Sequence, residues 1–515
     1  MKKVDTKQAG PSLEELSTFC KRKGFVYPTC EIYGGLSGFF DYGPLGTLLK
    51  RNFEQTWRDY FLNLGENFTE IQASEIMHEK TFEASGHLKN FTDFVATCEK
   101  GHADRADHLL ERKLGKRFEG LTKEELAQKI EEKNVRCSTC GLPIVNVDVL
   151  NMMFPLQIGA GTGTRAFLRP ETAQSPYVNF LRQFELQRKK LPMGIATIGR
   201  AYRNEISPRN SILRQRAFTQ AELQIFFNPD KLNEHQDFSS VKNVKLHVML
   251  ASARGKGVQE IKASELVKKL PVFYVYYLAK VQQFYLDILG LPVERFRLYE
   301  LDEKERAFYN KYHFDIELEL GGLGWVEIGG VHYRTDHDLK GHQQISGQSM
   351  IVQDDSTGQK VLPHVLELSF GVDRNFYALL HNAYLVDKTR DNTILKLPCG
   401  LAPYHVAVFP LIAKGASFEL ARDIHTELRR RFSVAFDASG SIGRRYARQD
   451  EAGTPYCITI DESSLKDKAV TVRDRDSTKQ IRVKIKELTS TLDVLVRKEL
   501  PFVKAGKVVE TRTKE

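Results

Sequence analysis

Residues 195–205 read Ile-Ala-Thr-Ile-Gly-Arg-Ala-Tyr-Arg-Asn-Glu, and residues 214–222 read Arg-Gln-Arg-Ala-Phe-Thr-Gln-Ala-Glu. A polar stretch that contains Pro208 and Asn210 separates the two. Proline and asparagine are common turn residues, because one presets φ and the other tolerates left-handed backbone. The two stretches therefore predict the arms of a β-hairpin.

The alternation of side chains along each arm predicts what the hairpin presents. Side chains two residues apart share a face of a strand, so Arg203 and Glu205 share one on the first arm. Phe218, Gln220 and Glu222 share a face on the returning arm. A cation for a phosphate, a ring for a base and a carboxylate for an amine would line one surface. This pattern favours ATP binding, although an ordinary amphipathic hairpin would also alternate.

A helix is predicted after residues 42–46, Tyr-Gly-Pro-Leu-Gly. Pro44 stands at its start, where a missing backbone N–H costs little. The apolar residues that follow recur at spacings of three and four, the period of an amphipathic helix. They are Leu49, Phe53, Trp57, Tyr60 and Leu64. A plain core helix would show the same period.

A strand followed by a helix is predicted over residues 365–374, Val-Leu-Glu-Leu-Ser-Phe-Gly-Val-Asp-Arg. Glu367 and Ser369 share one face of this strand, and Arg374 falls in the first helical turn. A guanidinium in that place can stack on a purine or contact a phosphate. Taken alone, the segment also fits a structural strand–helix junction.

The three segments, in this order, resemble motifs 1, 2 and 3 of the class II aminoacyl-tRNA synthetases. In that family motif 1 forms a dimer interface, and the motif 3 arginine covers ATP from the side opposite the motif 2 phenylalanine. The usual end of motif 3 is Gly-x-Gly-Arg, and Asp373 replaces its second glycine here. The sequence has no His-Ile-Gly-His, Lys-Met-Ser-Lys-Ser or Walker signature, which disfavours the ATP chemistry of those folds.

Residues 169–174, 203–209, 439–446 and 448–456 resemble glycyl-tRNA synthetases of the homodimeric type, and the resemblance extends over residues 19–485. It implies an α+β catalytic core with an antiparallel sheet, the class II synthetase fold. It also implies a C-terminal α/β anticodon-binding domain and a homodimer. The implied activity joins glycine to the 3′ end of tRNA(Gly) by way of glycyl-adenylate.

The resemblance also implies site residues. Arg203, Arg374 and Glu327 are the expected catalytic residues, with Glu327 holding Mg²⁺ through its carboxylate. The expected ATP contacts are Arg203, Asn204, Glu205, Leu213, Arg214, Gln215, Arg216, Ala217, Phe218, Glu327, Ile328, Gly371, Val372, Asp373 and Arg374. The expected glycine contacts are Arg105, Glu171, Phe218, Thr219, Gln220, Ala221, Glu222, Glu367, Leu368, Ser369, Phe370 and Gly371. Several carboxylates around one ammonium would leave little room for a β-carbon.

A metal site is predicted from four residues: Cys98, His102, Cys137 and Cys140. Thiolates and imidazole suit Zn²⁺ in a tetrahedral arrangement. Only one true Cys-x-x-Cys is present, so a degenerate knuckle with free thiols is the alternative.

We predict a catalytic domain over residues 1–396 and an anticodon-binding domain over 397–515. The first would contain an insertion at 97–148 and a helical insertion at 229–314, and residues 391–401 are the linker candidate. Strands at 406–410, 456–461 and 469–473 and a helix at 417–432 are predicted in the second domain.

Composition limits the compartment and the partners. The 515 residues carry a net charge of +9, and residues 401–515 hold 22 Lys/Arg against 16 Asp/Glu, as expected of a nucleic-acid contact. Residues 1–17 have no apolar core of a signal peptide, and the apolar stretch 271–291 contains Lys280 and Asp287, which predicts a buried helix and no membrane span. Seven cysteines in a long chain favour a reducing compartment, and we expect the cytoplasm.

Two other functions remain open at this point. The first is a class II synthetase of the same subgroup with another substrate: threonine, proline or histidine. The second is a catalytically inactive, synthetase-like subunit that binds nucleic acid. Such a subunit would lack ATP and amino-acid contacts, whereas Arg203, Phe218, Glu222, Glu367 and Arg374 are all present.

Overall fold

A computed structural model describes residues 10–115, 118, 121–161, 163–208 and 211–509. The predicted turn residue Asn210 and its neighbour Arg209 lie outside these ranges. Within them, no helix is both long and apolar enough to cross a bilayer.

The centre of the catalytic part is a nine-stranded sheet. Its strands are β1 (Phe68–Glu70), β2 (Met193–Tyr202), β3 (Ala217–Phe227), β4 (Lys245–Met249), β5 (Gln259–Lys262), β6 (Phe296–Glu300), β7 (Tyr312–Leu320), β8 (Gly324–Thr335) and β9 (His364–Gly371). Their spatial order is β5-β4-β6-β7-β8-β9-β3-β2-β1. All neighbours are antiparallel except β4 with β6 and β2 with β1. The predicted antiparallel core is confirmed.

Strand β3 is an interior strand of the sheet and is buried on both faces. Ala221, Leu223 and Ile225 are fully buried in the apolar core. Glu222 and Gln224, which point the other way, are just as buried but face polar partners. One face of this strand therefore holds the fold together, while the other is free to carry polar chemistry.

Three helices cover the apolar face of the sheet. They are Pro44–Phe61, Val272–Gln283 and Val372–Ala383. The predicted helix over the first of these ranges is confirmed, with Pro44 in its first turn. Trp57 is fully buried, and its ring lies 5.9 Å from that of Phe370 at the end of β9. The other helices of the catalytic part are Leu13–Lys23, Glu79–Ala84, His87–Asn90, Gln174–Leu186, Ala263–Leu266 and His337–Ser346.

The insertion predicted at residues 97–148 is a small domain that begins and ends slightly outside that range. Its three strands are Ala103–Arg105, Thr92–Cys98 and Ile144–Asn151, in this spatial order. The two longer strands pair with each other and close the base of the insertion. Its helices are Ala106–Leu114 and Lys123–Glu132, and Thr122 and Glu125 form a capping box at the start of the second. A separate three-stranded sheet combines Ile76–His78, Thr164–Leu168 and Phe154–Ile158.

The prediction that residues 229–314 are a helical insertion is wrong. This region contributes β4, β5 and β6 to the edge of the main sheet, and Val272–Gln283 is its one α-helix of more than four residues. The strands have only four or five residues each, too few for alternation to stand out from the sequence. Leu246, Val248 and Leu298 are nonetheless fully buried.

The predicted linker at residues 391–401 is also not an open connection. Asn392–Leu395 pairs with Tyr384–Asp387 in a hairpin. Leu395, Leu397 and Leu401 are buried in the core of the catalytic part. Apolar contacts therefore fix the segment in place.

The C-terminal part contains a six-stranded sheet. In spatial order its strands are Val434–Phe436, Val406–Pro410, Tyr456–Ile460, Ala469–Asp474, Gln480–Lys484 and Lys507–Val508. The first three are parallel and the others antiparallel. Its helices are Ala416–Leu428, Ile442–Ala452, Glu462–Asp467 and Leu488–Val496. The predicted strands and the predicted helix are confirmed to within a few residues.

Polar contacts join the C-terminal part to the catalytic part. The buried Arg475 donates from Nη2 across to the Leu397 carbonyl at 2.9 Å, while its Nη1 donates to the Gly453 carbonyl of its own part at 2.8 Å. Lys23 pairs with Glu451 at 2.5 Å. These bonds hold the two parts in one arrangement.

Candidate active site

A cavity that opens to solvent lies where β3, β8 and β9 meet the hairpin loop. Of the expected ATP contacts, it is lined by Arg203, Glu205, Leu213, Arg214, Gln215, Phe218, Glu327, Ile328, Gly371, Asp373 and Arg374. The remaining four do not line it. The backbone amide of Asn204 donates to the Met152 carbonyl, and the Arg216 guanidinium donates to the Glu205 and Ser37 carbonyls. Val372 is buried in the core, and Ala217 lines a neighbouring cavity.

Arg203 differs from the prediction in its backbone but still lines the cavity. Strand β2 ends at Tyr202, so Arg203 and Glu205 follow the strand instead of alternating along it. The Arg203 guanidinium lies 5.2 Å from the ring centre of Phe218 and 5.3 Å from that of Phe91. Its Nε donates to the Pro170 carbonyl at 3.1 Å. Two rings and a carbonyl therefore hold this cation in place.

Arg374 and Glu327 lie together at the rim of the cavity. Arg374 occupies the first turn of the helix after β9, as predicted. Its Nη1 donates to the Glu327 carbonyl at 3.0 Å and lies 3.2 Å from the Glu327 carboxylate, and its Nε donates to the Leu213 carbonyl at 3.3 Å. About half of the Glu327 side chain is exposed. An accessible carboxylate beside a phosphate-sized space suits Mg²⁺, which binds few protein oxygens and takes others from phosphates.

Asp373, which departs from the usual motif 3, joins all three motifs. Its carboxylate accepts a hydrogen bond from the Thr219 amide of β3 at 2.5 Å and another from the hydroxyl of Tyr42. Burial raises its pKa, which nearby cations and these two bonds oppose. The side chain thus ties the start of the motif 1 helix to β3.

Behind the cavity floor, Glu222 is held by three hydrogen bonds. Its carboxylate accepts from the hydroxyl of Thr172 at 2.7 Å, the hydroxyl of Ser369 at 2.8 Å and the amide of Gln220 at 2.9 Å. Burial, together with the charges of Glu367 and Glu171, raises its pKa to about 8. The pairing of β3 with β9 places Glu222 directly opposite Ser369.

The pKa values of Glu171 and Glu367 are shifted in the opposite direction, because positively charged groups lie close to these carboxylates. Nη1 of Arg334 lies 3.2 Å from Glu367 and Nη2 lies 3.9 Å from Glu171. His332 contacts Glu367, and His87 lies 3.4 Å from Glu171. Burial raises the pKa of both carboxyls, but these cations outweigh it and the net shift is downward. With Glu222 they form what we call the acid pocket: Glu171, Glu222 and Glu367.

Arg334 was not predicted from the sequence, although it is central to the acid pocket. It is 3% exposed and also binds Asp338 with two hydrogen bonds of 2.8 and 2.9 Å. The rings of Tyr309 and Tyr177 lie 4.5 and 5.5 Å from its guanidinium. A signal existed, since period two along residues 330–334 places Arg334 on the same face as His332. Thr172 was likewise missed, although it directly follows Glu171.

Other expected glycine contacts are separated from the acid pocket. Ala221, Leu368 and Phe370 are fully buried on the opposite, apolar face of the sheet, as strand alternation requires. Arg105 does not line the cavity, because its guanidinium pairs with Asp107 at 2.6 Å and Asp93 at 3.2 Å within the insertion. Phe218, Thr219, Gln220, Ser369 and Gly371 line the cavity.

The four predicted metal ligands come together at the tip of the insertion. The donor atoms of Cys98, His102, Cys137 and Cys140 all lie within 4.8 Å of one another. Cys98 Sγ is 3.7 Å from Cys140 Sγ and 3.6 Å from His102 Nδ1, and Cys137 Sγ is 3.8 Å from that nitrogen. Three sulfurs and one imidazole nitrogen at these separations fit the tetrahedral shell of Zn²⁺.

We predict that Arg334→Met destabilises the catalytic part by about 3–5 kcal/mol, because removing one partner leaves buried carboxylates without their cation. Urea denaturation followed by the fluorescence of the buried Trp57 measures the change. The matched control is Arg58→Met, which removes a partly exposed pair with Glu70 and should cost less than about 1 kcal/mol. Equal costs for both variants would contradict this account.

Two family models match the chain. The model described as "tRNA synthetase class II core domain (G, H, P, S and T)" matches residues 161–383. The model described as "Anticodon binding domain" matches residues 405–495. The first match includes β3, β8 and β9, which line the cavity.

Curated relatives and a solved structure also match. Glycine–tRNA ligase of Thermococcus gammatolerans is 39% identical, over 94% of this chain and 98% of the relative. Those of Pyrococcus furiosus and Methanothrix thermoacetophila are 38% and 35% identical, over 94% and 97% of this chain and 99% of each relative. Prolyl-tRNA synthetase of Cryptosporidium parvum, solved with L-proline and AMP, has a TM-score of 0.56 at 13% identity, over 97% of this chain and 79% of that chain, and so shows likeness of fold alone. The chain belongs to the glycine–tRNA ligase family of class II aminoacyl-tRNA synthetases.

Proposed function

We propose that the cavity binds ATP, that the acid pocket binds the ammonium group of glycine, and that the two meet at Ser369 and Gln220. One observation carries this proposal. Ser369 lines the cavity, and its hydroxyl also donates to the buried Glu222. A site for phosphate and base therefore adjoins a site for a small cation.

The chemistry of glycine activation fits these positions. The carboxylate of glycine attacks the α-phosphate of ATP, the bond to the β-phosphate breaks, and glycyl-adenylate and pyrophosphate form. The terminal ribose hydroxyl of tRNA(Gly) then takes the glycyl group and AMP leaves. Neither step needs a protein nucleophile, so orientation and charge stabilisation by Arg203 and Arg374 would supply most of the rate. Mg²⁺ held at Glu327 would neutralise phosphate charge when bound.

The surroundings of Glu222 support selection for the smallest amino acid. Thr172, Ser369 and Gln220 already bond to its carboxylate, so an ammonium must approach through a crowded opening. A side chain on the α-carbon would meet these groups and break their bonds. Loss of such buried bonds is a strong basis for rejection.

We also propose that the chain is a homodimer of the cytoplasm and that its C-terminal part binds the anticodon of tRNA(Gly). Ile32 and Tyr33, close to the motif 1 helix, are 87% and 84% exposed, as expected of a surface that a second copy covers. All seven cysteines are free, which suits a reducing compartment. The net positive charge of residues 401–515 suits contact with RNA.

The central experiment is ATP–pyrophosphate exchange with a panel of amino acids. We expect glycine alone to support exchange. Arg203→Ala should reduce the glycine-dependent rate by at least about 100-fold, because a positioned cation at the phosphates is lost. Arg188→Ala, which removes an arginine from the loop after helix Gln174–Leu186, is the control. Full exchange by Arg203→Ala with an unchanged circular dichroism spectrum would contradict the site.

We predict that glycine binding releases a proton from Glu222. The folded protein keeps this proton between pH 4.5 and about 8, where the unfolded chain has lost it, so this carboxyl contributes stability that falls as pH rises through that range. The ammonium of glycine favours the carboxylate, so affinity should rise between pH 6 and 8 by at most about tenfold per unit.

Isothermal calorimetry in buffers of different ionisation enthalpy counts that proton, with glycine or a stable glycyl-adenylate analogue as ligand. Glu222→Gln should bind more weakly and lose the pH dependence. The surface variant Glu70→Gln should behave as the parent. If the measured binding enthalpy of the parent protein does not depend on the ionisation enthalpy of the buffer, no proton is released and the assignment to Glu222 is refuted.

The cysteine cluster generates a fourth prediction, that the chain binds one Zn²⁺. Protein purified without chelator should contain about one equivalent by mass spectrometry of the metal. Cys137→Ser should lose it, while Cys457→Ser, which changes a buried thiol of the C-terminal part, should not. Less than about half an equivalent in the parent would favour the alternative of free thiols.

A further inference from the structure

We propose that Asp104 is a positioning residue that connects the metal knuckle (Cys98, His102, Cys137 and Cys140) to the ATP-binding hairpin, so that a bound metal strengthens the binding of ATP. This inference rests on the proposed ATP site and the proposed zinc site. It assigns a role to the insertion in the reaction itself.

One oxygen of Asp104 faces the knuckle. Ser138, which lies between the ligands Cys137 and Cys140, donates from its hydroxyl to Asp104 Oδ2 at 3.0 Å. Arg112, on the helix that follows, contacts the same oxygen. Asp104 also comes two residues after the ligand His102. The metal ligands therefore flank this carboxylate in sequence and in space.

The other oxygen of Asp104 faces the hairpin. Ser207 donates from its hydroxyl to Asp104 Oδ1 at 2.8 Å, and the amide of Arg105 donates to the same atom at 3.0 Å. Ser207 is four residues after Arg203 and two after Glu205, both of which line the cavity. Asp104 is 6% exposed, so little water competes for its oxygens.

The base of the insertion touches the same part of the hairpin. The amide of Asn204 donates to the Met152 carbonyl at 2.7 Å, and the ring of Phe91 lies against Arg203. The backbone amide of Met152 donates to the Phe91 carbonyl at 3.1 Å, just outside the paired strands. Two contacts thus hold the segment after β2. The base of the insertion contacts Arg203 and Asn204, and Asp104 contacts Ser207.

Metal binding would determine how rigidly Asp104 is positioned for its contact with Ser207. Backbone hydrogen bonds order the knuckle: the Gly101 amide donates to the Cys98 carbonyl at 2.8 Å and the Gly141 amide to the Cys137 carbonyl at 2.9 Å. Four metal–ligand bonds would fix both of its loops far more strongly. An ordered Ser138 then keeps Asp104 in place for Ser207. A loop ordered in advance loses less entropy when it binds ligand, which raises affinity.

The test uses the full-length protein and compares Ser207→Ala with Ser207→Thr, which keeps the hydroxyl. We expect Ser207→Ala to raise the KM for ATP about threefold to tenfold, the usual effect of one lost hydrogen bond. The KM for glycine, the kcat and the zinc content should stay within about twofold of the parent. Ser207→Thr should restore the parent value. Thr139→Ala, an exposed neighbour in the knuckle, is the matched control.

A double-variant comparison connects the metal to this effect. Cys140→Ser should remove the metal and raise the KM for ATP, and adding Ser207→Ala should then change it little, because both act through one contact. The backbone amides of residues 203–207 should exchange hydrogen faster in metal-depleted protein, a readout of the loop that does not depend on activity.

Several results would overturn the inference. These are a Ser207→Ala variant equal to the parent, an additive double variant, unchanged exchange after metal depletion, or a parent protein that holds no zinc. A parent that lacks glycine-dependent ATP–pyrophosphate exchange would instead refute the proposed function, while hydrogen exchange of the amides of residues 203–207 would still report on the contact with the knuckle.

Discussion

The acid pocket depends on one buried cation, Arg334. Three carboxylates withdrawn from water repel one another, and each would lose its charge if nothing opposed it. Arg334 reaches two of them as well as Asp338, and aromatic rings on either side exclude water from it. The three carboxyl groups therefore differ in protonation state. Glu171 and Glu367 are held as anions, whereas Glu222, which Arg334 does not contact, tends to keep its proton until a cationic ligand arrives.

Strand β3 makes this arrangement compatible with a stable fold. Its apolar face packs into the main core through Ala221, Leu223 and Ile225, and its polar face carries Gln220, Glu222 and Gln224. Neighbours on β9 stand directly opposite, so Glu367 and Ser369 reach the same polar side. A strand paired on both sides is held more rigidly than an edge strand. Polar groups fixed there need little reorganisation when a ligand binds.

Much of this could be predicted where the signal is local. Alternation along residues 214–222 predicted β3, helical spacing predicted the helix Pro44–Phe61, and four ligands within two short segments predicted a metal cluster. The failures have a common physical cause. The edge strands β4, β5 and β6 are short and are specified by pairing across the sheet, and Arg334 is recognised only once β8 lies beside β9. The first arm was predicted to extend to Glu205, whereas β2 ends three residues earlier, at Tyr202, so Arg203 follows the strand.

The burial of Leu397 and Leu401 has a consequence for the nucleic acid. Since the segment between the two parts is packed and Arg475 bonds across it, the distance from the active site to the C-terminal sheet is set by the protein itself. The two sites that contact the nucleic acid are then held at a fixed separation. A transfer RNA must bring its acceptor end and its anticodon to two places at once, and any misfit has to be absorbed by bending of the RNA. Shape would thereby contribute to selection alongside the reading of individual bases.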